Sequence, residues 1–150
     1  MEIRKAGPTD LDQLAELFNQ YRIFYKKESD VKAGKQFLSD RMKNNESEIF
    51  IAIDEEKKLT GFVQLYPIFS STRMKRLWLL NDLFVMPASR GQGVSIALIE
   101  RAKELCRATN SCGLLLETSK TNTVGNQLYP RTDFVLESES NFYVWNLKQG

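Results

Sequence analysis

Residues 81–105, NDLFVMPASRGQGVSIALIERAKEL, set a run of strand-forming residues, a proline, an arginine and two glycines directly before a helical pattern. A strand that feeds a glycine-bearing turn into a helix makes an anion site. The unpaired N–H groups of the first helical turn and the positive end of the helix dipole point the same way, and phosphate suits both. Two nucleotide-binding patterns compete for such a junction, and both fit badly. RGQGVS lacks the third glycine of the dinucleotide fingerprint and the Gly-Lys-Ser/Thr ending of the P-loop. The strand before it is also not the first of the chain, as a dinucleotide fold usually has it. For Gly91 and Gly93 an ordinary turn or helix entry is the plainer use, yet glycine also lets a backbone approach a ligand closely.

The elements that must position this junction follow from the hydrophobic periodicity. MEIRKA alternates as a short strand, and GPT breaks it. Thr9 suits an N-cap, with Asp10 and Asp12 in the first turn of a helix over about 10–26, where Leu11, Leu14, Leu17, Phe18, Tyr21 and Phe24 share a face. VKAGKQFLSDRMKN predicts a second helix, weakened by Gly34. EIFIAID, LTGFVQLYPIF and RLWLLNDLFVM predict strands, the last two joined by SSTRMK as antiparallel neighbours. From Val94 to about residue 109 the period is helical. GLLLET is a continuous apolar run, the mark of a strand covered on both sides. A short helix from about Asn122 to Tyr129 precedes two final strands, FVLES and NFYVWNL. The expected order is βααβββαβαββ, an α/β single domain over residues 1–150 with a mixed, mostly antiparallel sheet and helices on both faces.

Composition narrows the chemistry. The 150 residues carry 21 Lys and Arg against 19 Asp and Glu, and a net charge of +2 does not argue for a nucleic-acid surface. The densest basic stretch, RMKR at 73–76, is short and lies in strand-like sequence. No run approaches the ~20 apolar residues that span a bilayer, and no N-terminal apolar stretch resembles a signal peptide. Cys106 and Cys112 read as ordinary thiols of a reducing cytoplasm. There is no His, which removes the usual general base and the commonest zinc ligand. No metal is expected, and proton chemistry falls to carboxylates, Tyr, Lys or Cys.

The pattern Arg or Gln, two residues, Gly, one residue, Gly or Ala appears as Arg90, Gly93 and Ser95. Here the chain resembles the GNAT superfamily, the GCN5-related N-acetyltransferases, in a branch like those acting on small amines and polyamines. The preceding LFVMP, the following helix, LLLETSKTN and NQLYPRTDF share the family's order and spacing, including an Asn seven residues before a Tyr, as Asn122 and Tyr129 stand. The resemblance spans nearly the whole chain and is most specific over about 79–134. Ser95 departs from the family's preference for Gly or Ala. The backbone donor survives, while the hydroxyl can crowd a diphosphate or bond to it.

The resemblance implies acetyl-coenzyme A as cofactor and direct transfer of its acetyl group to an amine in a ternary complex. It implies that the backbone of Leu83, Phe84 and Val85 pairs with the pantetheine arm where the sheet splays. Backbone N–H groups of Gly91, Gln92, Gly93, Val94, Ser95 and Ile96 would hold the pyrophosphate, with Arg90 nearby. The Val85 N–H would serve as oxyanion donor. Tyr129 matches the family's general acid, and Asn122 a residue that bonds the cofactor or orders its loop, although Asn is also a favoured N-cap. An alkyl amine with a pKa of ~10.4 arrives protonated, so a base is needed. Asp82 and Glu117 are the candidates, each equally readable as a strand-end charge in a salt bridge. Polyamine-acetylating relatives commonly carry a carboxylate pair where this chain has Asn81 and Asp82, so the local negative charge is halved. Tyr21, Arg22 and Tyr25, at the end of the first helix, are candidate substrate contacts together with Asn81. Arg22 in the pocket would suit a substrate carboxylate.

The leading expectation is an N-acetyltransferase acting on a small amine. Acetylation of a protein N-terminus or lysine and a non-catalytic acyl-coenzyme A sensor are the alternatives. NFYVWNL is apolar enough to pair across a homodimer or to close the monomer's own sheet.

Overall fold

A computed structural model describes residues 1–148. The chain divides into two compact units, Met1–Glu117 and Thr118–Gly150. In the first, β1 (Glu2–Lys5), β2 (Glu48–Ile53), β3 (Leu59–Ser70), β4 (Lys75–Val85) and β5 (Leu114–Leu115) form one sheet in the order β1-β2-β3-β4-β5. The first four are mutually antiparallel, and β5 runs parallel to β4 through Trp78–Leu114 and Leu79–Leu115. Helices α1 (Leu11–Phe24), α2 (Val31–Lys43) and α3 (Val94–Ala108) complete this unit, and α4 (Thr123–Arg131) lies in the second. Five strands in a mixed sheet with four helices match the expected class of fold.

The alternation of strand side chains explains how both faces of the sheet are used. Ile49, Ile51 and Ile53 of β2 join Phe62 and Phe84 in a core with Leu14, Leu17, Phe18 and Leu38 of α1 and α2. On the opposite face the guanidinium of Arg101 in α3 lies 4.3 Å above the ring of Phe50. Val94 and Leu98 of the same helix pack against Gly61 of β3. Each large core side chain removed from water contributes about 1.5–3 kcal/mol. Gly34, a weakness by propensity, has a packing reason: a methyl there would stand 3.1 Å from the Phe18 ring, so glycine lets α2 close onto α1.

Several expectations need correction. Thr9 does not cap α1, because Pro8–Asp10 form a 3-10 turn first. Asp10 is buried instead, accepting from Arg4 at 2.8 and 2.9 Å and from the Gly7 amide at 2.8 Å. GLLLET yields only the two-residue β5, and Leu115 is 48 % exposed rather than covered. The strands expected at FVLES and NFYVWNL do not form among the described residues, and apart from the half-buried Phe134 their large apolar side chains are exposed. The apolar pattern is present in these segments, but a strand requires a neighbour for its backbone groups, and none borders β5 on its outer side among the described residues.

Candidate active site

The site is built where β4 outlasts β5. Beyond Leu79 the pairing with β5 stops, while the ladder to β3 continues through Asp82–Gln64, Leu83–Val63, Phe84–Phe62 and Val85–Gly61. The Met86 amide donates to the Thr60 carbonyl at 2.8 Å. By the alternation of an antiparallel ladder, Asp82 and Phe84 therefore turn their main-chain groups toward β3. Leu83 and Val85 turn theirs toward the side that β5 has left. Of the three residues LFV, only the outer two offer main-chain groups to an incoming strand-like ligand. The register shifts between Gln64 and Leu65, which pair with Asp82 and Leu80, so Asn81 is the extra residue of a bulge. The bulge leaves Asn81 exposed and Asp82 buried at 4 % exposure.

Asp82 sits in a closed set of donors. Gln64 Nε2 donates to Oδ2 at 2.7 Å and Asn81 Nδ2 to Oδ1 at 3.0 Å, and the Tyr21 hydroxyl also bonds the carboxylate. Gln64 is fully buried and is itself oriented by the Ser47 hydroxyl, which donates to Oε1 at 2.9 Å. Burial pushes the Asp82 carboxyl above its ordinary value of 3.8, and the donors from Gln64, Tyr21 and Asn81 pull in the opposite direction. A carboxylate so placed is a stronger base than one in water. The Tyr66 hydroxyl is pushed up to about 12, first by burial and then by the negative charge of Asp82. Tyr25 is raised for the same two reasons. Tyr21 joins the cluster from α1, with its ring 5.7 Å from Phe62, 6.1 Å from Phe84 and 5.1 Å from Tyr25.

The start of α3 is open. Gly91 and Gly93 both have φ of 78°, a left-handed conformation that disfavours other residues, and a side chain at either would meet no atom within 4 Å. Backbone conformation demands these glycines, and nothing crowds the space before them. Gly93 is the N-cap residue and no side chain caps the helix. The first helical bond, from the Ala97 amide to the Gly93 carbonyl at 3.1 Å, leaves the amides of Val94, Ser95 and Ile96 ahead of it. Arg90 turns away from this opening. Its Nε donates to the Val85 carbonyl at 3.2 Å, and its guanidinium lies 5.7 Å from the Phe84 ring and 5.8 Å from the Phe24 ring. A cleft of about 420 Å³ includes Gln92 and Val94 but is walled by Asp54, Glu55 and Glu56, a charge unsuited to phosphate.

The remaining predicted residues are less concentrated. Arg22 directs Nη1 to the Glu28 carbonyl at 2.8 Å and so ties the turn after α1. Tyr25 is exposed beside Tyr21 and Phe24. Glu117 is an exposed carboxylate past the end of β5. In the second unit, Asn122 caps α4: its Oδ1 accepts from the Gly125 amide at 3.1 Å and its Nδ2 donates to the Thr118 hydroxyl at 2.9 Å. Tyr129 is half-buried on α4, edge-on to Phe134 at 5.7 Å. Sequence reasoning missed Gln64, Ser47 and Tyr66. The signal for Gln64 was an amide within the apolar strand LTGFVQLYPIF, at a core-facing position that only a buried polar partner explains. Among the described residues no helix is long and apolar enough to cross a membrane, and no group of three or more His, Cys, Asp or Glu is placed to hold a metal.

Comparison with known proteins identifies the family. The model of the acetyltransferase (GNAT) family matches residues 11–134. An uncharacterized N-acetyltransferase of Bacillus subtilis, YhfO, is 41 % identical over 147 residues, covering 98 % of each chain. A probable acetyltransferase of Haemophilus influenzae is 37 % identical over 120 residues, covering 80 % of this chain and 82 % of its own. The crystal structure of a probable acetyltransferase, 38 % identical, superposes over 100 % of both chains with a TM-score of 0.94. Matched by its family model over most of its length and by a relative from end to end, this chain belongs to the acetyltransferase (GNAT) family and is an acyltransferase.

Proposed function

We propose that the chain transfers an acetyl group from acetyl-coenzyme A to the primary amine of a small molecule, by direct attack within a ternary complex. The observation that carries this reading is a buried carboxylate, Asp82, one residue before the stretch of β4 whose open edge can receive a strand-like ligand. When bound, acetyl-coenzyme A supplies a thioester carbon open to attack by an amine. The main chain of Leu83 and Val85 holds the pantetheine amides as a neighbouring strand would, and a Val85 N–H on that side is placed to stabilise a developing oxyanion. The amides of Gly91 through Ile96 hold the pyrophosphate at the uncapped end of α3. Arg90 leaves the Val85 carbonyl when the arm pairs there, which frees its guanidinium for the phosphates.

Asp82 attracts the ammonium form of the acceptor and takes its proton on a carboxylate oxygen. Glu117, exposed past β5, lacks the donors and burial that make Asp82 the base. Tyr21, Tyr25 and the exposed Asn81 offer the acceptor aromatic and polar contacts, while Arg22 serves the fold of the turn rather than a substrate carboxylate. Tyr129 returns a proton to the departing thiolate, and Asn122 orders the turn that begins its helix. Thiol release with acetyl-coenzyme A and a panel of alkyl amines, amino acids and peptides tests this reading. Turnover of at least one small primary amine is expected. Turnover of peptides alone would replace the acceptor class, and cofactor binding by calorimetry with no turnover of any amine would make the domain a sensor.

A further inference from the structure

The sheet face around Asp82 holds two charges of opposite sign, and acetyl transfer as proposed uses only one of them. Phe62, Gln64 and Tyr66 alternate onto the face that α1 and α2 cover at Phe62. Beyond Phe62 that face turns polar: Gln64 is fully buried and Tyr66 half-buried. β2 pairs Ile49 with Gln64 and Glu48 with Leu65, so one residue further along the same register Ser47 stands opposite Tyr66. Ser47 bonds Gln64, and Gln64 bonds Asp82, which makes a continuous polar strip across three strands. Asp82 is its negative end. At the other end Glu46, next to Ser47, accepts from Nε of Arg41 of α2 at 3.1 Å. The Arg41 side chain is only 23 % exposed, and its guanidinium lies 4.3 Å above the Phe37 ring. Its two Nη groups have no hydrogen-bond partner among the described residues. The Tyr66 hydroxyl lies within the field of both charges. Burial raises its pKa most, the negative charge of Asp82 raises it further, and the positive charge of Arg41 lowers it.

A site with a carboxylate at one end and a half-engaged guanidinium at the other complements a molecule that is itself a zwitterion. Resting on acetyl transfer at Asp82, we infer that the acceptor is an ω-amino acid, whose primary amine meets Asp82 and whose carboxylate meets the Nη fork of Arg41 and the Tyr66 hydroxyl. The planar fork offers two parallel N–H donors to the two oxygens of a carboxylate. Glu46 on Nε fixes the orientation of the fork, and its own charge opposes a doubly charged group such as phosphate. The two ends belong to strands two interstrand spacings apart, about 9–10 Å between main chains, so amine and carboxylate stand on opposite ends of a short carbon chain rather than on one carbon. A diamine would place its second ammonium against Arg41. The carboxylate contact that Arg22 does not offer is thus supplied from α2.

Matched substrates test the anchor. Thiol release from acetyl-coenzyme A is measured with γ-aminobutyrate against butylamine, with ε-aminohexanoate against hexylamine, and with the diamines of the same lengths. In at least one pair the amino acid should exceed the alkyl amine in kcat/KM by about tenfold or more, chiefly through KM. Arg41→Gln should bring that ratio down to about one. Arg41→Lys keeps the charge without the fork and should leave an intermediate ratio, and Tyr66→Phe should lower it less than Arg41→Gln does. Because the ratio compares two substrates on one protein, a partly unfolded variant does not imitate the result. Equal kcat/KM within every pair, an unchanged ratio in Arg41→Gln, or a preference for the diamines overturns the inference and leaves acetyl transfer to alkyl amines standing. Should no amine be acetylated, the transfer reading fails, and the anchor is still read by calorimetry of ε-aminohexanoate on protein saturated with coenzyme A. Binding that weakens about tenfold in Arg41→Gln supports it, and binding that is absent or indifferent to the substitution overturns it.

Discussion

The strand pair β3–β4 and the segment 134–148 are both rich in apolar residues, and the structure treats them in opposite ways. Around Asp82 a charge is buried and every neighbour has a matching donor or acceptor: Ser47 to Gln64, Gln64 to Asp82, Asn81 and Tyr21 to the same carboxylate. No buried side-chain nitrogen or oxygen among the described residues lacks a partner. In 134–148 the side chains that favour burial most, Trp145 and Phe142, stand exposed. The difference lies in where the neighbours come from. β4 has β3 along its whole length, so a polar residue can be placed inside and satisfied. The C-terminal segment has the sequence of a strand and no ladder in which to use it.

Amide hydrogen exchange should separate the two regions most widely. In dilute protein the amides of β3 and β4 should exchange at least ~10³-fold more slowly than those of 134–148. Strong protection of 134–148 would erase the contrast. The next largest effect is on turnover. Asp82→Asn should lower kcat by about 10²- to 10⁴-fold, the range of a lost general base. Because the folded Asp82 value is raised, its ionisation favours unfolding. The native state is most favoured below the ordinary value of 3.8 and loses that advantage as pH rises through the raised value. Asp82→Asn should therefore raise the melting temperature at pH 7 and leave it nearly unchanged at pH 3. A lower melting temperature at pH 7 would show that the carboxylate is stabilising after all.

Tyr129→Phe should reduce kcat by roughly 10- to 100-fold with cofactor affinity preserved, since only the proton-donating hydroxyl is removed. Calorimetry with coenzyme A checks the affinity, and undiminished turnover would take Tyr129 out of the mechanism. Gln64→Leu removes a donor to Asp82 and a partner of Ser47, at about 1–3 kcal/mol of stability for the stranded groups. The loss should be larger at pH 8 than at pH 4, because the charged form of Asp82 needs the donor most. Equal losses at both pH values would reduce Gln64 to a packing residue. The smallest effect serves as the control. Asp10 is held below its ordinary value by Arg4, so its contribution is present above 3.8 and fades as pH falls through the lowered value. Arg4→Gln should cost at most about 1 kcal/mol at pH 7, since Arg4 is largely exposed, and progressively less as pH falls through the lowered Asp10 value. This is the opposite pH sense to Asp82.

Most of the fold could be read from residue patterns because its signals are local. Helical spacing in 11–24 and 94–108 reports the face each helix buries, whatever lies against it, whereas β2, which reads as a half-buried strand, is buried on both faces. The open N-terminus of α3 was equally legible, since Gly91 and Gly93 advertise left-handed backbone by their identity. Thr9 misled because proline at position 8 favours a 3-10 turn and Asp10 had a better partner in Arg4, on a strand it approaches only after folding.

By itself the sequence determined the family, the helices, the antiparallel strands of the sheet, the glycine-opened helix start and the absence of any histidine to serve as base. Only the tertiary structure decided that Asp82 lies inside, that Gln64 and Ser47 hold it there, that Arg90 folds back on Val85, and that the last apolar segments form no strand. The physical reason is range. Periodicity and backbone preference are properties of neighbours in the chain, whereas a carboxylate's pKa or a strand's pairing depends on groups that the fold brings together, as it does Gln64 and Asp82, 18 residues apart.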